Sequence, residues 1–165
     1  MDFDLTAEQQ AIRSAVREFA EREIAPRARH VDETGEFPAE TFRKMGELGL
    51  MGLPFPEEYG GAGADSVSTA IAIEEVARAC GSTALAYAAH IGLGCAPIAM
   101  FGTEEQKRRF LKPAAEGRHM AAFARTEPHA GSDAGATRTV ARLEGDEWVI
   151  SGQKMWISLG NVAEV

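Results

Sequence analysis

The chain has 165 residues, of which 45% are hydrophobic and 25% are charged, and its formal net charge is -8. These proportions are typical of a globular protein with a hydrophobic core, so stability does not depend on disulfides. The negative charge argues against a nucleic-acid-binding protein, because such a protein presents a basic face to the phosphates.

The cysteines and the N-terminal segment favour a cytoplasmic protein. Cys80 and Cys95 have no CxxC spacing and lie in apolar helical runs, so we expect buried thiols in a reducing compartment. Residues 1–10 contain neither the basic nor the apolar region of a secretory signal. The apolar run 84–101 is broken by glycine and proline and is shorter than a membrane span. We therefore expect a buried core helix and no membrane span.

Five helices are predicted in the first two thirds of the chain. A capping box at Thr6 and Gln9 starts the first helix, which is expected to end near Pro26. The second helix is expected to begin with Pro38 in its first turn and to end at Gly49. The last three helices each follow a capping residue: Asp65 or Ser66, then Ser82 or Thr83, and finally Thr103 in a second capping box.

The pattern changes to strands after Gly117. Residues 120–126 and 137–143 have the composition or alternation of strands, and residues 147–158 contain two more strands around Ser151-Gly152. Helices followed by strands indicate two domains, at residues 1–117 and 118–165. The second domain would end on an open edge strand, so we expect the chain to be the front part of a longer protein.

One polar turn could carry chemistry. In "TEPHAGSD", residues 126–133, Thr126 and Ser132 supply hydroxyls, and the turn between them exposes backbone N–H groups that can bind an anion such as phosphate. A polar turn that only joins two strands is the simpler interpretation of these residues alone.

The remaining candidates are individually weak. In "KMWIS", Trp156 in a strand is more often a core residue, Ser158 is more often a surface residue, and Lys154 is expected to be a solvated charge. The four histidines have no spacing that suits a metal, so no metal site is predicted. Adjacent glutamates on helices do not face each other and make poor acid–base pairs.

Taken together, the segments resemble a known family. "FARTEPHAGSD" (residues 123–133), followed by "GDEWVISGQKMWIS" (residues 145–158), is similar to the paired signature of the acyl-CoA dehydrogenase family. Residues 5–26, 48–65 and 101–117 resemble the N-terminal helical domain of that family in order and spacing. The resemblance spans essentially the whole chain.

The resemblance implies an α+β fold, with an all-α N-terminal helical domain at residues 1–117 and an incomplete antiparallel β-barrel domain at residues 118–165. Members of the family are FAD-dependent enzymes, usually homotetramers, that dehydrogenate an acyl-CoA thioester between its α and β carbons. They pass the electrons to an electron-transfer flavoprotein. The catalytic glutamate of the family lies in a C-terminal helical domain that this chain lacks, so no catalytic residue is assigned here.

The resemblance also implies which residues contact FAD: Phe123, Arg125, Thr126, Gly131, Ser132, Trp156, Ile157 and Ser158. Thr126 matches the residue that holds the pyrimidine side of the flavin ring. Gly131 and Ser132 match the turn at the pyrophosphate, and Ser132 also matches a position that touches the acyl-CoA substrate. Trp156 matches the residue that packs on the isoalloxazine, with the Ser158 hydroxyl near flavin N5. Hydroxyls, backbone amides and an aromatic plane suit such a cofactor.

Two positions depart from the family pattern. Arg125 stands where an apolar residue is common, and His129 stands where glycine or another small residue is common. Arg125 could pair with Glu127 or with a missing segment, or its charge could alter the flavin potential. Two alternatives to a dehydrogenase are also considered. One is a flavin monooxygenase or nitroalkane oxidase of the same superfamily, and the other is a non-catalytic helical module that associates with a partner.

Overall fold

The computed structural model describes residues 4–165, and it contains a helical domain followed by a largely irregular segment with one two-stranded sheet. The helices are α1 (Ala7–Phe19), α2 (Ala25–Thr34), α3 (Ala39–Glu47), α4 (Ser66–Ala79), α5 (Gly81–Ala89), α6 (Ala96–Phe101), α7 (Glu104–Gln106) and α8 (Lys112–Ala115). The π-helical segments Ala20–Ile24, His90–Cys95 and Lys107–Leu111 join α1 to α2, α5 to α6 and α7 to α8. The strands are β1 (Val140–Glu144) and β2 (Glu147–Ser151).

The first helix starts as predicted but runs past its predicted end. The Thr6 hydroxyl accepts a hydrogen bond from the Gln9 amide at 3.2 Å, and the Gln9 side chain accepts one from the Thr6 amide at 3.1 Å. The prediction that the helix ends near Pro26 is wrong. This proline follows the π segment Ala20–Ile24 and lies in the first turn of α2, a position that tolerates a missing N–H. The helix ends where Gly35 adopts a φ of 68°.

The other helices begin within one or two residues of their predicted first residues. Pro38 is the residue before α3 rather than part of its first turn, and Gly49 follows that helix with a φ of 73°. Asp65 caps α4 by accepting a hydrogen bond from the Ser68 amide at 2.6 Å. The fourth helix begins at Gly81, slightly earlier than predicted, because Cys80 has an extended backbone.

The segments α5, His90–Cys95 and α6 form one continuous helix of 21 residues with a mean hydropathy of 1.5. This length corrects the expectation of a run too short for a membrane span, since the helix is long and apolar enough to cross one by length and composition. Core helices of soluble proteins pass the same test. Tyr87, His90 and Cys95 on this helix are fully buried in the core, as we expect of a core helix. Cys80 is only half-buried, which corrects the prediction for that thiol.

The core lies among the helices. The helix α1 packs on α4, and α4 packs on α5. Fully buried side chains at the centre include Met45, Met51, Tyr87, Leu111 and Cys95. Burial of each such side chain contributes about 1.5–3 kcal/mol relative to exposure to water.

A close backbone approach brings the chain after α8 onto the long helix. A side chain at Gly94 would place its Cβ atom 2.5 Å from the backbone of Ala121, so only glycine allows this contact. His90 fixes the same contact, because its Nδ1 accepts a hydrogen bond from the Ala121 amide at 3.1 Å. Its Nε2 lies 3.2 Å from the Ala114 carbonyl and donates to it. The segment that follows Ala121 therefore starts against the helix.

Only part of the predicted β domain forms regular structure among residues 4–165. The strands β1 and β2 pair antiparallel, with Val140 opposite Ser151, and Gly145 in the connecting turn has a φ of 64°. The strands predicted at residues 120–126 and 153–158 are wrong. Residues 120–126 form isolated backbone contacts instead of a ladder, and Trp156 has a φ of 58° that ends any extended run. The helical domain and this two-stranded antiparallel sheet agree with the predicted α+β fold, in which the β domain is incomplete.

Candidate functional site

Six of the eight residues predicted to bind a cofactor line one cleft of about 250 Å³: Phe123, Arg125, Thr126, Trp156, Ile157 and Ser158. Ala89, at the end of α5, and Leu93, in the following π segment, complete the lining on the helical side. The cleft therefore lies where two irregular segments, 123–126 and 156–158, meet the long helix.

One backbone hydrogen bond joins the two irregular segments at the cleft. The Met155 amide donates to the Thr126 carbonyl at 2.9 Å, which places the hydroxyl of Thr126 on the same cleft as that of Ser158. Because Ala121 is fixed to the helix by His90, this bond also ties the 156–158 segment to the helical domain. The contacts that shape the cleft thus span three separate parts of the chain.

Two aromatic side chains in the cleft are open to solvent. Trp156 is 84% exposed and Phe123 is 48% exposed, although large apolar side chains are usually buried. Trp156 also has a left-handed backbone with a φ of 58°, which is unusual for a bulky residue and stores strain. An exposed indole held in a strained conformation points to a surface that binds a flat apolar group.

The polar groups in the cleft complement these aromatic faces. Thr126 and Ser158 each offer a hydroxyl that donates and accepts hydrogen bonds, and Arg125 brings a permanent positive charge. No carboxylate lines the cleft among the described residues. This set can stack on and hydrogen-bond a planar heteroaromatic ring, but it contains no side chain suited to act as a general base.

Gly131 and Ser132 lie outside the cleft. They follow the tight turn formed by Glu127 and Ala130, whose backbones exchange two hydrogen bonds, and both are exposed. The Arg125 Nη2 donates to the Gly131 carbonyl at 3.0 Å, so its guanidinium connects the cleft to this turn. The Gly131 carbonyl was not among the partners expected for Arg125, and the structure shows this hydrogen bond in place of the expected pairing with Glu127.

One larger surface groove lacks the hydroxyl groups that the cleft offers. A groove of about 440 Å³ between α1 and α3 is bordered by charges that already pair with one another: Lys44 with Glu23 at 2.5 Å and Arg22 with Glu18 at 3.3 Å. No group of three or more His, Cys, Asp or Glu side chains within residues 4–165 is arranged to hold a metal ion.

Comparison with known families assigns both parts of the chain. Residues 6–118 match the N-terminal domain of acyl-CoA dehydrogenase, and residues 122–165 match its middle domain. The chain belongs to the acyl-CoA dehydrogenase family.

Relatives in this family are similar over nearly the whole chain. The probable acyl-CoA dehydrogenase YngJ of Bacillus subtilis is 60% identical over 99% of the chain, and the short-chain specific acyl-CoA dehydrogenase of Clostridium acetobutylicum is 51% identical over 99%. The chain spans 43% of the length of each. An acyl-CoA dehydrogenase from Bacillus anthracis, solved in complex with FAD, superimposes with a TM-score of 0.92 at 39% identity, over 98% of this chain and 28% of that one.

Two charged residues next to the cleft, Lys154 and Glu127, were not predicted as part of the site. The prediction that Lys154 is a solvated charge is wrong, because its Nζ lies 2.9 Å from Glu127 and only 27% of its side chain is exposed. Glu127 is buried, and the Thr139 side chain, the Arg138 amide and Lys154 hold its pKa well below the usual range. The sequence offered two signals for this pair: Glu127 comes directly before Pro128 in the turn, and Lys154 comes directly before Met155.

Ala89 and Leu93 were also missed as cleft residues, because they belong to a helix that was treated as core. Their spacing of four residues puts them on one face of the helix. Leu93 is 51% exposed while Tyr87 and His90 are fully buried, so the helix presents a second, partly open face toward the cleft. The long apolar run hid this division, since both faces are equally hydrophobic in sequence.

Proposed function

We propose that this chain is the N-terminal part of an FAD-dependent acyl-CoA dehydrogenase, which oxidises an acyl-CoA thioester to its α,β-unsaturated product. The observation that carries the proposal is the cleft itself. It holds an exposed indole in a strained backbone beside two hydroxyls, Thr126 and Ser158, on segments whose sequences resemble the family's flavin-binding signatures.

The residues of the cleft fit a flavin. Trp156 offers an open aromatic face for the isoalloxazine ring, and the Thr126 and Ser158 hydroxyls can hydrogen-bond the polar edge of that ring. Ala89 and Leu93 supply an apolar wall that excludes water from one side. Bound FAD would supply the acceptor for the hydride that leaves the β-carbon of the substrate.

The turn beyond the cleft fits the phosphate part of the cofactor. Gly131 and Ser132 are exposed, and Arg125 lies beside them through its hydrogen bond to the Gly131 carbonyl. A guanidinium next to a diphosphate adds charge-assisted hydrogen bonds. Ser132 is also proposed to contact the acyl-CoA substrate, as its matching position does in the family.

Further proposals concern the protein's surroundings. A dehydrogenase of this kind must release its electrons, so we propose an electron-transfer flavoprotein as partner and a role in fatty acid metabolism. A homotetramer is proposed from the family resemblance, and a cytoplasmic location from the two free cysteines, which suit a reducing compartment.

The test uses the full-length protein purified with FAD. Anaerobic addition of acyl-CoA thioesters of increasing chain length should bleach the visible absorbance of the flavin, with one length giving the fastest loss. If the protein binds FAD in stoichiometric amounts and none of the acyl-CoA thioesters bleaches the flavin, the protein is not an acyl-CoA dehydrogenase. Bleaching by a nitroalkane, or oxygen-dependent turnover of another substrate, would favour the superfamily alternatives.

A further inference from the structure

Glu127 follows the cleft residue Thr126 in the chain and is almost fully enclosed, with 1% of its side chain exposed. Its carboxylate accepts hydrogen bonds from the Arg138 amide at 2.7 Å, the Thr139 amide at 3.0 Å and the Lys154 ammonium at 2.9 Å. The His129 Nε2 lies 3.3 Å from Oε2 of Glu127, the oxygen that also accepts the Arg138 amide. A carboxylate with this many donors is held in one position, because a displacement would break several hydrogen bonds at once.

Lys154 connects Glu127 to the neighbouring segment. Its Nζ also donates to the Arg125 carbonyl at 3.2 Å, and the next residue donates its amide to the Thr126 carbonyl at 2.9 Å. Three hydrogen bonds therefore join the segments 123–127 and 154–158, and two of them come from one ammonium group. Neither Glu127 nor Lys154 lines the cleft, so both act on it through the segments to which they belong.

The two segments depend on these contacts because regular structure does not hold them. In a β-sheet, a ladder of backbone hydrogen bonds fixes the distance between neighbouring strands. Here the segments share one backbone hydrogen bond, and Trp156 has a left-handed backbone that breaks the extended geometry. Strained conformations of this kind persist only when the surrounding structure determines them.

We propose that Glu127 and Lys154 form a positioning pair that sets the separation of Thr126 from Trp156 and Ser158 across the cleft, and so controls how tightly and in which geometry the flavin binds. The proposal rests on the flavin-binding function proposed above. The pair does not touch the ring. It holds the two segments that do.

The first experiment measures FAD affinity of the full-length protein by flavin fluorescence. Lys154→Met keeps the length of the side chain and removes the ammonium, so FAD binding should weaken by about tenfold, the effect of about 1.4 kcal/mol. Lys154→Arg keeps the charge and the N–H donors that reach Glu127, so its FAD affinity should stay within about threefold of wild type. The matched control is Lys112→Met, which removes the surface ion pair of Lys112 with Glu116 and should leave affinity unchanged. Equal FAD affinity of wild type and Lys154→Met would overturn the proposal.

The second experiment tests whether the two residues act as a pair. Glu127→Gln and Lys154→Met are combined, and the flavin absorbance spectrum is recorded with the affinity. The double variant should bind FAD with about the same affinity as the single variant that binds it less tightly, because each substitution already breaks the contact between Glu127 and Lys154. Both single variants should show the same shift of the flavin spectrum. Additive losses of affinity, or a spectrum identical to wild type in both single variants, would contradict the pair.

A third measurement does not depend on the flavin. Hydrogen exchange of the Met155 amide reports the bond to the Thr126 carbonyl, and Lys154→Met should speed it by about tenfold while amides in α4 keep their wild-type rates. Unchanged exchange at Met155, or a uniform rise throughout α4, would overturn a positioning role. If the wild-type protein binds no FAD, the proposed function fails, and this exchange measurement still decides whether the pair holds the two segments together.

Discussion

The buried imidazole of His90 makes stability depend on pH in a defined window. Its Nδ1 accepts the Ala121 amide and its Nε2 donates to the Ala114 carbonyl, so the folded protein requires the neutral ring. Protonation would place a hydrogen on Nδ1, where the amide hydrogen already points. His90 ties the long helix to the segment leading into the cleft, so this titration concerns the part of the fold that positions the site.

The size of the effect follows from the pKa. Burial lowers the pKa of His90 from its ordinary 6.5 to about 4, because a charged ring loses its hydration in the core. Between these values the unfolded chain binds the proton and the folded chain does not. The contribution of the neutral His90 ring to the free energy of unfolding is therefore fully present above about pH 6.5. The free energy of unfolding then falls by about 3 kcal/mol as the pH drops to about 4.

The assay is urea unfolding followed by circular dichroism at pH steps from 7.5 to about 4, on wild type and on His90→Asn, whose amide oxygen can still accept the Ala121 hydrogen bond. The variant should be less stable at pH 7 and should lose about 3 kcal/mol less than wild type on acidification. Tyr87→Phe, which is equally buried, serves as the control and should keep the wild-type pH dependence. The reasoning is refuted if His90→Asn and wild type lose the same free energy between these pH values.

Three further changes test the packing and the cleft. Gly61→Ala should lower the free energy of unfolding by about 1–3 kcal/mol, because its Cβ would lie 1.9 Å from the Phe55 carbonyl oxygen; Gly81→Ala, which meets no atom within 4 Å, is the control, and equal unfolding midpoints would contradict the clash. Tyr87→Phe should lower the free energy of unfolding in urea by about 1 kcal/mol, since it removes the hydroxyl's 2.8 Å hydrogen bond to the buried Leu50 carbonyl and leaves that carbonyl with the Leu53 amide alone, and a more stable variant would show that the bond does not contribute. Arg125→Leu in the full-length protein should weaken FAD binding and reduce its salt dependence, as measured by titration at two salt concentrations; an unchanged salt dependence would rule out a contact of this cation with the diphosphate.

Local signals were sufficient for most of the helical domain. The capping boxes at Thr6 and Thr103 and the cap at Asp65 were predicted because they depend on residues three positions apart, and the structure confirms them. The end of the first helix was missed because Pro26 stops a helix only when its neighbours follow the α-helical hydrogen-bond pattern. The preceding π segment removes that condition. No short-range rule signals such a segment.

The strands were less predictable for a different reason. Residues 120–126 have strand-like composition, but a strand forms only where a partner offers a ladder, and here the contacts come from single atoms of distant segments. The geometry after Gly152 depends on Trp156 in a left-handed conformation, which is rare for a residue of this type and cannot be anticipated from propensity.

Part of the candidate site could be predicted from the sequence, and part of it could not. The family signatures named six residues that the structure brings into one cleft, although they are separated by about 30 positions along the chain. The contacts next to the cleft were not foreseen. Lys154 was interpreted as a surface charge because a lysine in an isolated sequence gives no sign of its partner. Its role depends on Glu127, 27 positions away, which becomes a neighbour only through the fold.

The central claim is that this cleft binds the flavin ring through the two hydroxyls. Equilibrium titration of the full-length protein with FAD tests it directly in three variants: Thr126→Val, Ser158→Ala and the control Ser14→Ala, whose hydroxyl lies on the exposed side of α1. Each cleft variant should weaken FAD binding by about tenfold, the effect of one lost hydrogen bond, while the control matches wild type. Identical FAD affinity in wild type and both cleft variants would contradict the claim.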